Sequence, residues 1–455
     1  MTNSVAQTEL TAASARLDPQ RMAWGILLIG FAVFCVICVV TGLGVHWFLF
    51  QSVVPLTSDL DVGRGTAGII FSSDPIEQVA RVEYDLSGAK DTTVGTDAQS
   101  QATILFRDLD QLIASVTLRS NTSLNVRDAV RPRFDWSTGR YNIVLDNFSG
   151  EADIFIAPNL LREISMSVQT PGGFWLLMDS GGHYVASATP SQVRVTNLDG
   201  HADLVGTDPQ NNRNIPIGGQ AVVNMAENAQ IGLSGAAYTN LLINTVLPKT
   251  PQAAEDGREP GVDIWTCSNG ENDTPRGDYL TETRDGRTAL RLLRGEGADS
   301  HGETRCIKWF GQTGQSIETY DYLALRAEFL INYQSVNTCG VEGSECPLTL
   351  RLDYLDTAGE PRRWFYGFYY FVDAQQSYPV RCIEITCVQD HQRVNEKSWY
   401  AFDSGNLFGL FTQNQLPLPG RIINVQFYAS GHQYDVYVSE VALVVGQNTQ
   451  ETLAG

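Results

Sequence analysis

The feature that most constrains this chain is an uncharged stretch near its start. Between residues 22 and 58 no Asp, Glu, Lys or Arg occurs. As a helix, its apolar core at residues 23–50 would reach about 40 Å, which exceeds the ~30 Å hydrocarbon layer of a bilayer. Trp24 and Trp47 stand near its two ends, where interfacial tryptophans are expected. The stretch predicts a transmembrane helix over residues 22–50.

A cleaved signal peptide is the alternative interpretation of this segment. The apolar run is longer than that of a signal peptide, and no A-x-A cleavage site follows it. Arg16 and Arg21 precede the run, whereas Asp59 follows it. Because positive charge is retained in the cytoplasm, we expect a short cytoplasmic tail at residues 1–21. Everything after about residue 52 is then extracytoplasmic, in a single-pass protein of the cell membrane.

Charge narrows the partners that this chain can have. The sequence holds 51 acidic and 31 basic residues, for a net charge of −20. Nucleic acid and anionic lipid headgroups are therefore poor partners. With 455 residues and 43% hydrophobic content, the chain is long and apolar enough for two or three packed domains.

Cysteine placement agrees with export. Cys35 and Cys38 lie in the apolar run, and the other six lie in the last 190 or so residues. An even number of cysteines in an exported region predicts disulfides. Zinc is the alternative, but C-x₆-C and C-x₄-C spacings fit zinc sites poorly. We expect neighbours to pair, as Cys267–Cys306, Cys339–Cys346 and Cys382–Cys387.

The region over residues 62–245 has the pattern of an all-β domain. Val116 and Leu118, then Leu124 and Val126, alternate on both sides of a turn at Ser120-Asn121. Similar short runs, broken by Gly, Asp, Asn and Pro, continue to its end. The best short helical pattern in it is "SDPIEQVARV", at residues 73–82.

A second β-rich region is predicted over residues 262–446. Residues 246–261 precede it and have the composition of a linker. In "PLTLRLDY" Leu348, Leu350 and Leu352 alternate with polar residues, and "WFYGFYYF" follows after a turn. The alternation changes phase at Ser439-Glu440, which predicts a β-bulge. This pattern favours a β-sandwich of the jelly-roll type.

Residues 94–224 resemble the extracytoplasmic domain of FecR-type proteins. The resemblance rests on turns and strands, listed here: "VGTDAQSQATILFRD", Thr170-Pro171, Gly181-Gly182, Tyr184-Val185, Val193-Arg194-Val195 and Asp199-Gly200. It implies sensing outside the membrane, with a signal passed inward to a transcription factor of the sigma class. Signalling members carry a folded cytoplasmic portion, and 21 residues cannot form one. We therefore expect an envelope module without direct sigma-factor control.

The second region resembles galactose-binding-like jelly rolls, through its strand pattern and its closing "YDVYVSEVALV". The resemblance implies the architecture of many carbohydrate-binding modules. In "WFYGFYYF", residues of one parity face the core, and those of the other parity are covered by loops or line a groove for sugar rings. The predicted ligand-binding residues are Trp364, Tyr366, Tyr370, Arg351 and Asp353, with Asn332 a further candidate for hydroxyl hydrogen bonds.

The string Asp179-Ser180-Gly181-Gly182 is the one apparent catalytic motif, since it matches the turn around the nucleophile of trypsin-like proteases. A nucleophilic serine needs a histidine base and a carboxylate. His183 is only three residues from Ser180, on the predicted next strand. We therefore expect a turn in which glycine adopts positive φ, and no enzyme.

Metal and cofactor signals are sparse. The histidines stand singly, and no H-E-x-x-H motif occurs. The acidic stretch "SNGENDTPRGD", residues 268–278, could hold calcium or could be a solvated loop. We expect no resident metal or cofactor, with calcium as the open alternative.

The sequence therefore predicts a membrane-anchored recognition protein of the cell envelope. Sensing or signal relay through the FecR-like region is its expected function. Carbohydrate binding or adhesion through the jelly roll is the alternative. The expected partners are the membrane and an envelope glycan or protein.

Overall fold

The computed structural model describes residues 19–86, 90–109, 111–208, 210–225, 229–234, 237–242, 252–253, 265–382 and 387–447. Helix α1 (Pro19–Phe50) contains the predicted membrane segment. Within Met22–Phe50 an 18-residue stretch has a mean hydropathy of 2.9, and none of its residues is buried against the protein. Among the described residues this is the one helix long and apolar enough to cross a bilayer. The predicted cytoplasmic tail lies almost wholly outside the described residues.

The described residues form two compact units. One contains α1, the residues that follow it up to Val54, and the segment Pro132–Gly139. The other contains Pro55–Arg131 and the chain from Arg140 onward.

Strands make up most of the chain, as the sequence predicted. The N-terminal strands are β1 (Val53–Pro55), β2 (Thr57–Arg64), β3 (Ala67–Phe71), β4 (Asp74–Ala80), β5 (Tyr84–Asp85), β6 (Thr92–Thr96), β7 (Gln101–Asp108), β8 (Gln111–Leu118), β9 (Ser123–Pro132), β10 (Tyr141–Ile156), β11 (Ile164–Gln169), β12 (Trp175–Met178), β13 (Gly182–Ala188), β14 (Gln192–Asp199), β15 (Ala202–Val205), β16 (Asn212–Ile215), β17 (Gln220–Asn224) and β18 (Ile231–Ser234). A 3₁₀ turn, Pro171–Gly173, precedes β12.

The helical pattern at residues 73–82 was misleading, because β4 forms there as a strand. Its ladder with β3 supplies the backbone hydrogen bonds that a short helix would have made. The predicted turn at Ser120-Asn121 does join β8 to β9, and Asn121 adopts a φ of 54°.

The N-terminal strands form two sheets that share β10. One sheet runs in the order β4-β3-β6-β9-β10-β11-β12-β15-β16. The other runs β5-β2-β7-β8-β10-β13-β14-β17-β18. All these pairings are antiparallel except β10 with β11. One hydrophobic core, from Leu56 to Ile231 in sequence, fills this region.

Gly150 lies where β10 passes from one sheet to the other. Its φ is 104°, and a Cβ there would lie 2.6 Å from the Cα of Thr122. Only glycine fits both the backbone conformation and this close approach.

The later elements form a second sandwich around a separate core, whose buried residues are drawn from between Leu242 and Val445 in the sequence. They are β19 (Ala237–Asn240), β20 (Gln252–Ala253), β21 (Thr266–Asn269), β22 (Asp278–Arg284), β23 (Arg287–Arg294), β24 (Gly302–Trp309), β25 (Gln315–Ser316), β26 (Tyr322–Gln334), β27 (Leu348–Asp356), β28 (Pro361–Tyr369), β29 (Gln392–Arg393), β30 (Trp399–Asp403), α2 (Leu407–Gln413), β31 (Pro419–Gly431) and β32 (Tyr434–Gln447). The predicted linker, residues 246–261, lies outside the described residues apart from Gln252 and Ala253.

We call the two sheets of this sandwich the outer sheet and the docking sheet. The outer sheet runs β20-β21-β24-β31-β27-β28-β29, with β25 on β31. The docking sheet runs β22-β23-β32-β26-β30, with β19 on β32. The predicted bulge is confirmed, since the register of β26 against β32 shifts beside Ser439 and Glu440.

The docking sheet packs against the N-terminal strands through backbone and side-chain hydrogen bonds. Gln101 Nε2 donates to Ala401 O (2.7 Å), and Ala401 N donates back to Gln101 Oε1 (2.9 Å). Trp399 N donates to Asp61 Oδ2 at 2.8 Å. Burial raises the pKa of Asp61 to about 6. These contacts join the two β regions into one compact unit.

A cluster of ion pairs lies at the same contact, and its Arg119–Asp403 pair crosses between the two β regions. Arg119 lies 2.5 Å from Asp153 Oδ2 and 3.3 Å from Asp403 Oδ2, and Arg326 lies 2.8 Å from the same oxygen of Asp403. A cavity of about 740 Å³ lies beside them, bordered by His183 from the N-terminal strands and by Glu440 at the bulge.

Candidate functional site

The outward face of the outer sheet carries the candidate site, because polar and aromatic side chains alternate there with the core. On β27, Leu350 and Leu352 are buried in the core, whereas Arg351 between them is half-buried on the other face. Opposite Arg351 lie Phe365 on β28 and Gln426 on β31. Adjacent strands therefore bring these three side chains into one row.

A hydrogen-bond network fixes the polar groups of this row. Arg351 holds Asp353 with two hydrogen bonds, Nε to Oδ1 at 2.7 Å and Nη2 to Oδ2 at 2.9 Å. Gln426 Nε2 donates to Asp353 Oδ2 (2.9 Å) and to Asn424 Oδ1 (2.7 Å). The Arg351 guanidinium also lies 5.3 Å from the centre of the Phe365 ring. Pre-positioned amide, carboxylate and guanidinium groups beside a ring suit a ligand with hydroxyls on an apolar ring face.

A small pocket of about 130 Å³ opens at one end of this face. Thr349, Phe365 and Tyr428 form its floor on the sheet, and Gly343 and His391 form its wall on two loops. The volume is below that of sites for drug-sized ligands. A longer ligand could continue from it along the row of Arg351.

Two disulfides and one histidine hold the wall of the pocket. The predicted pairs Cys339–Cys346 and Cys382–Cys387 are both formed, as is Cys267–Cys306 between β21 and β24. His391 Nδ1 accepts from Gly367 N at 3.0 Å, and Nε2 donates to Gly343 O at 2.8 Å. Burial lowers the pKa of His391, which keeps the ring neutral and matches this donor and acceptor pattern.

The same cluster tests the zinc alternative. His391 lies close to both cysteine pairs, at a spacing that could hold a metal ion. The four sulfurs are joined in disulfides and both ring nitrogens are hydrogen-bonded. Because zinc needs thiolates and an unengaged imidazole nitrogen, this cluster does not fit it.

Of the predicted ligand-binding residues, Arg351 and Asp353 lie together on the outward face, but the three rings do not join them. Trp364 is 1% exposed and lies opposite Leu352 on the core side. Tyr366 stacks inside on Phe402, with ring centres 5.0 Å apart.

Tyr370 and Asn332 are also engaged within the protein. The Tyr370 hydroxyl accepts from Gln334 N, and Asn332 donates to Asp435 on the docking sheet. The structure corrects the prediction that Trp364 and Tyr366 line a groove, because both rings lie on the core side. The β28 side chains opposite Leu350 and Leu352 share their inward face, so Trp364 and Tyr366 point inward and Phe365 between them points outward.

Sequence reasoning missed Phe365, Tyr428, Gln426 and Asn424 as site residues. A signal for three of them was present in "NVQFYAS", where Asn424, Gln426 and Tyr428 alternate with core residues Val425 and Phe427.

The structure places Ser180, half-buried, in a turn where its hydroxyl contacts no histidine ring. Ser180 Oγ accepts from the backbone N of His201 at 3.0 Å. The His201 ring is hydrogen-bonded to Asp179 Oδ1 through Nδ1 (2.9 Å) and to Asn214 Nδ2 through Nε2 (3.0 Å). His183 points elsewhere, toward Asp153 and Glu440. This is not the order of contacts in a Ser-His-Asp triad.

Gly181 and Gly182 are needed for a different reason than expected. Neither is among the glycines with positive φ. Instead, a Cβ on Gly181 would lie 2.8 Å from Pro158 Cα, and one on Gly182 would lie 2.6 Å from the Tyr184 hydroxyl. Close approach of the backbone, not left-handed conformation, requires glycine here.

In the acidic stretch at residues 268–278, side chains are hydrogen-bonded within the loop and to the neighbouring strand β24. Asp273 Oδ2 accepts from Gly270 N (3.1 Å) and Glu303 N (2.8 Å). Asn269 Oδ1 accepts from the Thr304 hydroxyl at 2.6 Å. These oxygens already accept hydrogen bonds from the loop and from β24, so a calcium ion would have to compete with those donors.

No protein-family model matches this sequence, and no curated protein matches it either. Solved structures give distant likenesses. One is described as an anti-sigma factor from Parabacteroides distasonis, with a TM-score of 0.24, 13% identity, 35% of this chain covered and 68% of that chain. Another is a family 11 carbohydrate-binding module from Clostridium thermocellum bound to a mixed-linked tetrasaccharide, with a TM-score of 0.22, 11% identity, and coverage of 42% and 94%.

A third is a family 28 carbohydrate-binding module specific for non-crystalline cellulose, with a TM-score of 0.24, 12% identity, and coverage of 44% and 96%. These scores are too low to support an argument, so the site is assessed from its own residues.

Proposed function

We propose that this protein is anchored in the cell membrane by α1 and acts outside the cytoplasm. The length and hydropathy of α1 support the anchor. The three disulfides support an oxidising compartment for the residues after it. Arg16 and Arg21, which precede the apolar part of α1, and Asp59 and Asp61, which follow α1, support a cytoplasmic N-terminus.

Glycan binding on the outward face of the outer sheet is the function that we propose for the jelly-roll region. The observation that carries it is the row in which Asp353, fixed by Arg351 and Gln426, lies beside the ring of Phe365. A sugar offers both an apolar ring face and hydroxyls, so it can stack and hydrogen-bond at once. The proposal includes no catalytic step, and covalent labelling of Ser180 by a fluorophosphonate would contradict that part.

The test is a glycan array probed with the full-length protein in detergent, followed by titration calorimetry with the best soluble oligosaccharide. Phe365→Ala removes the stacking ring, and Arg351→Ala removes the group that orients Asp353. We expect each to weaken binding at least tenfold, about 1.4 kcal/mol. Tyr333→Ala is the matched control, because Tyr333 is a 45% exposed aromatic residue on the docking sheet.

Trp364→Ala separates the two faces of β28. We expect it to lower stability through a core cavity, by about 3–5 kcal/mol. The glycan proposal fails if no glycan binds. It also fails if Phe365→Ala binds as the unchanged protein does.

Signal relay is a second candidate, and the contact between the two β regions favours it. The reciprocal hydrogen bonds of Gln101 with Ala401 couple the docking sheet to β7, and the Arg119–Asp403 ion pair couples it to the residue that directly follows β8. Hydrogen exchange with and without a saturating glycan tests this candidate. Changed exchange in β7 and β8 would support relay, whereas changes confined to the outer sheet would oppose it.

A further inference from the structure

The last turn of α1 does not stand alone, because the loop Pro132–Gly139 between β9 and β10 packs on it. Phe134 meets Phe48 edge to face, with ring centres 5.5 Å apart. The Arg133 guanidinium lies 5.4 Å from the centre of the Phe48 ring. Helix end and loop are thus one compact structural unit.

Hydrogen bonds fix the loop at the same level of the helix. Ser137 Oγ donates to the carbonyl of Phe50 at 3.0 Å. Arg133 N donates to the carbonyl of Ser52, also at 3.0 Å. The carbonyls at a helix C-terminus lack partners within the helix, so the loop satisfies one that would otherwise need water.

The loop presents an exposed aromatic pair beside this end. Trp136 stacks on Phe134, with ring centres 4.6 Å apart and the rings only 12° from parallel. Trp136 is nevertheless 62% exposed, and Trp47 on the helix is 57% exposed. Large exposed rings are unusual on a surface that meets only water.

The length of α1 places this end at the bilayer interface. Its apolar part, Met22–Phe50, has 29 residues. At ~1.5 Å per residue this is about 13 Å longer than the ~30 Å hydrocarbon layer, so one or both ends extend into the headgroup region. Tryptophan favours this region because its ring is apolar and its indole N–H can hydrogen-bond.

We propose that the loop Pro132–Gly139 is a second membrane contact, with Trp136 and Phe134 seated among the glycerol and headgroup groups of the leaflet where α1 ends. Arg133 stands beside these rings, where a lipid phosphate is within reach of a guanidinium. The proposal rests on the membrane anchor proposed above, and it adds the residues by which a β-strand connection meets the lipid.

The test uses the full-length protein in phosphatidylcholine nanodiscs containing lipids brominated at acyl positions 6 and 7 or 11 and 12. Bromine quenches tryptophan emission at contact. The emission of Trp136 is obtained as the difference between the unchanged protein and Trp136→Phe. We expect this difference to be quenched, and more strongly by the 6,7-bromines, which lie nearer the headgroups.

Trp309→Phe is the matched control. Trp309 lies on β24 of the outer sheet, and its difference emission should be insensitive to bromine. Quenching in the Trp136→Phe protein reports Trp24 and Trp47, and therefore insertion of α1. If that signal is quenched and the Trp136 difference is not, the second contact is overturned and the anchor stands. If neither is quenched, both proposals fail.

Discussion

Among single residues, Gly150 gives the sharpest test of the fold. Alanine there would have to adopt a φ near 104° and bring its Cβ within 2.6 Å of Thr122 Cα. We expect Gly150→Ala to lower the free energy of unfolding by more than about 1 kcal/mol, because strain and overlap act together. Gly295→Ala is the control, since a Cβ on Gly295 would meet nothing within 4 Å. Circular dichroism measures the melting temperatures, and equal values for the two variants would contradict this account.

The candidate site shows what single residues reveal in sequence. Alternation in "WFYGFYYF" correctly separates Trp364 from Phe365, but it does not say which of the two faces the core. That choice follows from the pairing of β28 with β27, where Trp364 lies opposite the buried Leu352. Pairing joins residues distant in sequence, so a single strand pattern leaves the face undetermined.

Among the elements, the disulfides allow a ranked prediction. Cys267–Cys306 closes a separation of 39 residues, whereas Cys339–Cys346 closes 7. In the chain-entropy description the first contributes about 4 kcal/mol and the second about 2.5 kcal/mol. We expect Cys267→Ala with Cys306→Ala to destabilise the fold more than Cys339→Ala with Cys346→Ala. Chemical denaturation of both double variants checks the ranking, and the reverse order would contradict it.

Elements were also what the sequence predicted best. Neighbour pairing of the six cysteines is confirmed, as is the bulge at Ser439 and Glu440. Both are local features with a strong signal: cysteine spacing in one case and a change of alternation in the other. The strand at Asp74–Ala80 was missed because its helical spacing is overridden by pairing with β3.

At the scale of the whole molecule, the contact between the two β regions could not be predicted, because the ion pairs that cross it, Arg119–Asp403 and His183–Glu440, join residues more than 200 positions apart. Asp403 pairs with both Arg119 and Arg326, and its side chain is only 8% exposed. We expect Asp403→Ala to cost about 3–5 kcal/mol, since it leaves two buried guanidinium groups short of a partner. Asp390→Ala, which removes an exposed partner of Arg381, should change the melting temperature little. If Asp403→Ala lowers the melting temperature as little as Asp390→Ala does, the ion pairs of Asp403 do not stabilise the fold.

The pH dependence of stability should report on the same contact through His183. Its ring lies 3.9 Å from Asp153 Oδ1 and 3.6 Å from Glu440 Oε1. Burial favours the neutral ring, but these two carboxylates outweigh burial and raise the pKa of His183 to about 10. Glu328, Arg326 and Arg287 also border this part of the cavity.

A histidine whose pKa is raised on folding binds its proton more tightly in the folded state than in the unfolded state, where its pKa is about 6.5. Its stabilising contribution is therefore complete below about pH 6.5 and disappears as the pH rises through 10. We expect the melting temperature to fall between pH 7 and 10, and the fall to be shallower in His183→Gln. His301→Gln, at an exposed pair with Glu345, should keep the slope of the unchanged protein. Parallel slopes for His183→Gln and the unchanged protein would show that a charged His183 does not hold the two β regions together.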